Sequence, residues 1–299
     1  MSDTIVSLRR MIGSAGELQS VVRTMKAMAA SSIGQYEQSV RSLGDYARAI
    51  ELGLSVCFRT TTINAVSATE DCAPSAKSDR RIVGAVVFGS DQGLVGQFNE
   101  VVVEYALKTL AATRNTLRIW AVGERAHSRV ADTGLPLMGL FKVPTSVKAI
   151  TPLIAEILMV GEELRKNDNA AEFYLFYNRP MSGMVYEPTH QQLLPLDAAW
   201  QDRLAKAPWP THRLPEVIGS HSEVLQALVR EYLFVSLFRA CAESLASENA
   251  SRLSAMQRAE KNIDALLEDL NSKFHRLRQS TIDEELFDVV SGFEALLSD

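Results

Sequence analysis

Apolar or small residues recur through the first part of the chain at Ile5, Leu8, Ile12, Ala15, Leu18, Val22, Met25, Ala29, Ile33, Tyr36, Val40, Leu43, Ala47, Ile50 and Leu54. Fourteen steps cover 49 residues, a mean of 3.5, the coiled-coil period rather than the 3.6 of a straight helix. Gly13, Gly16, Gly34, Gly44 and Gly53 each weaken a helix by about 1 kcal/mol against Ala. Small residues also let a second helix come close, so the pattern predicts a helix with imperfect ends. At the other end of the chain neither Gly nor Pro occurs between Gly219 and Gly292. Ser220 with Glu223 fits a capping box, and Gly292 suits a left-handed stop. Helix over 222–291 is 70 residues, about 105 Å long at 1.5 Å per residue. Its stripe, from Leu225 through Val235, Leu245, Met256 and Leu266 to Leu277, again steps by about 3.5. Asn249 is the polar exception in the stripe, placed to act as a register pin. Two such helices bury their stripes most economically against each other, antiparallel.

Between the ends the pattern changes. Residues 60–81 are polar, small and patternless, and read as a linker. "RIVGAVVFGS" reads as a buried strand, "NEVVVEYALKTLAAT" as a helix, "TLRIWAVG" as a strand and "ERAHSRVADTG" as a helix. "TPLIAEILMVGEELRKN" then reads as a helix, "AEFYLFYNRP" as a strand and "YEPTHQQLLPL" as an edge strand. Strands alternating with helices predict a Rossmann-like α/β layer with parallel strands. Asp197 to Pro215, with three prolines, reads as a loop back to the long helix. The expected fold class is therefore α/β plus a long antiparallel coiled coil. The expected domains are an N-terminal helix over 1–59, a linker over 60–81, a central α/β domain over 82–215 and a C-terminal helix over 216–299.

Composition narrows the function. A formal net charge of −5 argues against a nucleic-acid binder, which carries a basic face. Residues 222–299 alone hold eight Lys/Arg against 14 Asp/Glu, which disfavours wrapping nucleic acid. No apolar run is long enough to span a membrane, and the start shows neither a secretory signal nor a clear transit peptide. Cys57, Cys72 and Cys241 have no CxxC spacing and read as reduced thiols of a cytoplasmic protein.

Candidate chemistry is sparse. "VVFGSDQGLVGQFN", Val86 to Asn99, offers the strand, turn and helix start at which phosphates dock in nucleotide-binding folds. Gly89, Gly93 and Gly96 do not fit G-x-G-x-x-G, and no P-loop lysine follows. A tight structural turn is the better reading. The five histidines are scattered without ligand spacing, and no nucleophile elbow is present. Three readings stand on residues alone: a nucleotide-binding α/β enzyme with helical arms, a generic coiled-coil adaptor, or a spacer or mechanical element.

Longer motifs choose among them. "ESLASENASRLSAMQRAEKN", Glu243 to Asn262, and "RQSTIDEELFDVVSG", Arg278 to Gly292, resemble the C-terminal pattern of the gamma subunit of F-type ATP synthases. "RTMKAMAASS" (Arg23 to Ser32), "SDQGLVGQFN" (Ser90 to Asn99) and "PTHQQLLPL" (Pro188 to Leu196) are similar to further segments of that family, in the same order. The resemblance covers almost the whole chain. Ser32 stands where the family usually has Lys, Gln92 where it has Arg and Val95 where it has Cys. These departures suggest a divergent branch, for which the alternative, sodium-type F-ATPase of some bacteria is a candidate. The missing cysteine-bearing insert argues against the chloroplast form and favours a bacterial source.

The resemblance implies a central-stalk rotor that couples ion flow through a membrane ring to ATP synthesis or hydrolysis in an alpha/beta head. It implies no catalytic residue, cofactor or metal in this chain. The implied partners are a ring of three alpha and three beta subunits, the epsilon subunit and the membrane c-ring, with one copy per complex at the cytoplasmic face of a bacterial inner membrane. Contacts to the alpha/beta ring are expected from Arg23, Met25, Ala29, Arg252, Arg278, Gln279 and Glu285.

Overall fold

The computed structural model describes residues 4–66, 82–111, 115–167, 171–181, 186–211, 215–216 and 218–297. The chain divides into a paired-end unit, residues 1–30 with 252–299, and a sheet unit, residues 31–251. The elements in order are α1 (Ile5–Ser42), α2 (Gly44–Val66), β1 (Ile82–Phe88), α3 (Phe98–Ala111), β2 (Thr116–Val122), α4 (Glu124–Ala131) and β3 (Leu137–Phe141). A short 3₁₀ turn then leads into α5 (Ile150–Asn167), followed by β4 (Glu172–Pro180), β5 (Tyr186–Leu194), α6 (Ala198–Lys206) and α7 (His221–Leu297).

The first helix is not continuous as expected: a turn at Leu43 separates α1 from α2. The Ser42 hydroxyl donates to the Gln38 carbonyl at 2.9 Å, and Gly44 stands two residues on. This is the Ser/Gly pairing at which helices break. The α2 helix then runs to Val66, into the stretch read as linker, and residues 67–81 with Cys72 lie outside the described residues. At the far end, helix continues past Gly292 to Leu297. One glycine costs about 1 kcal/mol, and the Phe-Glu-Ala-Leu-Leu run after it is made of residues a helix accommodates. Ser220 opens α7 through its carbonyl, which accepts from Val224 N at 3.1 Å. Its hydroxyl pairs with the Ser222 hydroxyl at 2.9 Å rather than completing the expected box with Glu223.

The sheet has strand order β3-β2-β1-β4-β5, the doubly wound order, with β5 antiparallel at the edge and the other pairings parallel. β1 sits centrally and is buried on both faces, which is why "IVGAVVF" is unbroken apolar sequence. One face carries Val83, Ala85, Val87 and Ile119 against α3 and α4 through Val102, Ala106, Ala126 and Val130. The other carries Val86, Phe88, Phe173 and Leu175 against Ile150, Ile154 and Ile157 of α5 and Leu237, Cys241 and Leu245 of α7.

Two elements lie where no element was expected. β3 was unassigned: its Leu-Met-Gly-Leu-Phe run has two exposed apolar positions, so alternation gives no signal. α6 replaces the first half of the expected return loop. Asp197 caps it, its carboxylate accepting from Ala199 N at 3.1 Å, and Trp200 anchors it, its ring 4.5 Å from that of Tyr232 and 6.2 Å from that of Phe58. Partial burial of this aromatic side chain contributes apolar stabilisation that local sequence alone does not reveal.

Cys57 and Cys241 are free and buried. Burial raises both thiols, so neither is a reactive thiolate. Among the described residues no helix is long and apolar enough to cross a membrane, and no cluster has metal-holding composition.

Candidate functional site

The turn after β1 has the outline of a phosphate cradle, but several of the polar groups around it are paired within the chain. Ser90 N donates to Asn99 Oδ1 and Asn99 Nδ2 to Ser90 Oγ, both at 2.9 Å. At the start of α4, Arg125 N donates to the Ser90 carbonyl at 3.0 Å and Glu124 N to the Asp91 carboxylate at 3.1 Å. A Cβ built on Gly89 would lie 2.3 Å from Ala126 Cβ and 2.6 Å from Asn99 Oδ1, so that glycine serves close packing of the chain on itself. The geometry is that of a structural turn.

The paired-end unit presents the second candidate surface. Arg23 donates to Glu260 at 3.0 Å, Lys26 pairs with the same carboxylate, Gln19 bonds Asp264, and the Arg9 guanidinium lies 5.8 Å from the centre of the Phe274 ring. As the first residue number falls from 26 to 9 the second rises from 260 to 274, so the two helices run antiparallel. Leu8, Ala15, Ala29, Leu253, Met256 and Leu270 are buried between them. The stripe departs at Leu18 and Leu266, both exposed. In the sheet unit Asn249 donates its amide to the Leu245 carbonyl of its own helix at 2.8 Å.

Glu260 was not singled out by the sequence, because nothing marks one glutamate of a charged helix as paired. Hydrogen bonds from Lys26 and then Arg23 hold its carboxyl below the ordinary glutamate range. A depressed folded-state value means the pairing stabilises fully above the unfolded glutamate value and is lost as pH falls through the folded one. Thermal melts of Glu260→Gln are therefore expected to differ most from wild type near neutral pH and to converge with it in acid, below the ordinary glutamate range. A difference that grows in acid would contradict the assignment.

Of the expected contact residues, Arg23 spends its guanidinium on Glu260 and Met25 is half-buried. Ala29, 2% exposed, packs rather than faces outward, and Arg252 is half-buried. Arg278, Gln279 and Glu285 are exposed on α7. They do not form one cluster: the first four lie along the pair and the last three near the end of α7.

Around those three lies a surface that the residue pattern did not identify. Arg9 marks the level of Phe274 and α1 begins at Ile5, so α7 beyond about residue 278 has no α1 alongside. There Ile282, Leu286, Phe287, Val289 and Val290 are 46–70% exposed. At 100° per residue these five fall within about 160° of the helix circumference. Leu270, Phe274 and Leu277, which continue the buried stripe, fall on nearly the opposite side, in line with Glu284, Glu285 and Asp288. The apolar tip is therefore not an extension of the α1-facing stripe but a separate face. Gln279 falls within its arc and Arg278 at its edge.

Comparison with known proteins gives the family. Residues 4–296 match the family model described as ATP synthase. The ATP synthase gamma chain of Rhizorhabdus wittichii is 27% identical, with 98% of this chain and 99% of the relative covered. That of Paramagnetospirillum magneticum is 29% identical over 98% and 99%, and that of Brevibacillus brevis 25% over 99% of each. Among solved structures, the rotor of the Euglena gracilis mitochondrial ATP synthase shares the fold with a TM-score of 0.60 at 17% identity, covering 93% of this chain and 98% of that one. The central stalk/c-ring structure of the Tetrahymena thermophila mitochondrial enzyme gives 0.56 at 20% identity, covering 80% and 99%. The chain belongs to the ATP synthase gamma-chain family, whose members are non-catalytic subunits of the central stalk.

Proposed function

We propose that this chain is the rotating shaft of an F-type ATP synthase, coupling ion flow through a membrane ring to ATP synthesis or hydrolysis in an alpha/beta head. The observation that carries this reading is the apolar face at the end of α7, directed away from the stripe that packs on α1. A helix end with about half its circumference apolar and no α1 alongside it is built for a surrounding protein surface. A ring of three alpha and three beta subunits supplies that surface. The titles of the two structural relatives name a rotor and a central stalk with a c-ring, which supports assigning the c-ring, with epsilon, as partners of the sheet unit. We also place one copy per complex, peripheral at the cytoplasmic face of a bacterial inner membrane, in line with that assignment.

The mechanism needs two physical properties. Torque requires stiffness, which the antiparallel pair and its cross-helix ion pairs provide. Driving three catalytic sites in turn requires that the shaft contact their conformations unequally, since only differential contact shifts an equilibrium. An acidic arc of Glu284, Glu285 and Asp288 opposite an apolar one makes the tip asymmetric about its axis. Arg278 sits at the edge of the apolar arc and Gln279 within it, and both act as ring contacts with Glu285. Arg23, Met25 and Arg252 act lower on the pair, and Ala29 serves there by permitting close packing.

Native mass spectrometry of the complex purified from source cells tests the reading: one copy with three alpha and three beta subunits is expected, and a complex lacking those subunits would overturn it. Arg278→Ala with Gln279→Ala is expected to lower ATP synthesis in membrane vesicles by about tenfold, the effect of losing about 1.4 kcal/mol of differential contact. The melting temperature of the isolated chain stays unchanged because both side chains are exposed. Synthesis at the wild-type rate would remove these two residues from the contact surface.

A further inference from the structure

In doubly wound sheets the ligand crevice opens at the carboxyl ends of the strands where the connections switch faces. Here that point lies between β1, followed by α3 on one face, and β4, preceded by α5 on the other. α7 lies across it. The Ser247 hydroxyl, fully buried, donates to the Asn178 carbonyl at the end of β4 at 2.9 Å. One helical turn later the buried Ser251 hydroxyl donates to the Val95 carbonyl in the turn after β1. Asn178, also fully buried, donates its side-chain amide to the Phe98 carbonyl at the start of α3 at 2.9 Å. Asn99 beside it is bonded twice to Ser90 at the end of β1.

We propose that this seam is a mechanical joint in which Ser247 and Ser251 are positioning residues, fixing the register of α7 on the carboxyl ends of β1 and β4. The inference rests on the rotor reading and adds where within the subunit load passes from the sheet unit to the shaft helix. Apolar contacts such as those of Leu237 and Leu245 hold the helix to the sheet, but burial is non-directional and tolerates sliding. Hydrogen bonds to fixed carbonyls do not: any axial slip leaves buried hydroxyls and carbonyls unpaired. Serine is the residue type the position asks for. It carries a donor on the shortest side chain, so a helix can lie close enough to reach backbone oxygens, and two serines four residues apart share one helix face.

The test uses Ser247→Ala, Ser251→Ala and the double variant in the whole complex reconstituted in vesicles, with the exposed Ser272→Ala as control. Each lost bond is expected to speed amide exchange at the start of α3 by about fivefold. ATP synthesis against an imposed ion gradient is expected to fall by at least about threefold in the double variant, whereas hydrolysis by the detached head, which works without load, stays near wild type. Loaded and unloaded rates falling together would show a structural role only. Wild-type exchange with wild-type synthesis would show that the bonds set nothing. Either result overturns the proposal, and the single variants carry the same comparison if the double variant does not assemble. Failure of the rotor reading is separately visible, because the wild-type chain would then support no synthesis at all.

Discussion

Replacing Gly123 with alanine is expected to destabilise the sheet unit more than any other single methyl addition considered. Gly123 closes β2 and starts α4: its N–H donates to the Phe141 carbonyl at 2.9 Å and its carbonyl accepts from His127 N at 3.0 Å. Both bonds hold its backbone at φ 98°, a region that L side chains rarely adopt. The added Cβ would lie 2.7 Å from the carbonyl carbon and oxygen of Ser90 and 2.9 Å from its nitrogen. These are backbone atoms that the Asn99 and Arg125 bonds hold in place, so no rotamer change relieves the clash. Strain at such an angle costs about 1–3 kcal/mol and overpacking a similar amount, together a large share of the 5–15 kcal/mol that stabilises a domain. A fall in melting temperature of about 10 °C or more is expected. Gly134 is the control: it also has positive φ, at 71°, but nothing lies within 4 Å of its added Cβ. Gly134→Ala should therefore lose only the strain, about 1 kcal/mol. If the two variants melt alike, the contact with Ser90 is not what demands glycine.

Gly123 also marks where reading the sequence stops. The periodic signals were long and redundant: fourteen apolar steps across α1 and α2 and a similar stripe along α7 survive glycines and single exposed leucines, and β1 announces itself because burial on both faces demands an unbroken apolar run. The antiparallel pairing at the chain ends was legible for the same reason. Elements decided by tertiary contact were not. α6 exists because Trp200 finds Tyr232 and Phe58, residues far away in sequence, and β3 exists because β2 offers it an edge. The break at Leu43 needed knowledge of which hydrogen bond Ser42 makes.

The candidate surface divides in the same way. Arg278, Gln279 and Glu285 came from resemblance, and their exposure on α7 was recoverable from charge and position. Glu260, Ser247 and Asn178 act through single partners, and no spacing in the chain reveals a partner. The apolar tip lay in between. "IDEELFDVVSG" shows its five apolar residues plainly, but their meaning depends on where α1 ends, a fact about the fold and not about the segment.

That tip carries the second large expectation. Phe287→Asp with Val290→Asp is expected to leave the isolated chain's melting temperature within about 2 °C of wild type, because both side chains are largely exposed there and surface changes rarely exceed ±0.5 kcal/mol. On the rotor reading proposed above the same two positions face protein in an assembled head, and placing unpaired carboxylates against it costs several kcal/mol. Coupled ATP synthesis should fall by at least about tenfold, each 1.4 kcal/mol being a factor of ten. Asp288→Asn, on the opposite arc, removes a charge without placing one against an apolar wall and should change synthesis by less than about threefold. The pair of results separates two explanations that a single variant would confuse. If the doubly substituted chain melts early, the tip is part of the subunit's own core. If it melts normally and synthesis is unaffected, the apolar arc faces water in the working complex and the shaft contacts the head elsewhere. A normal melt with lost synthesis is the outcome that a helix end shaped for a surrounding ring requires.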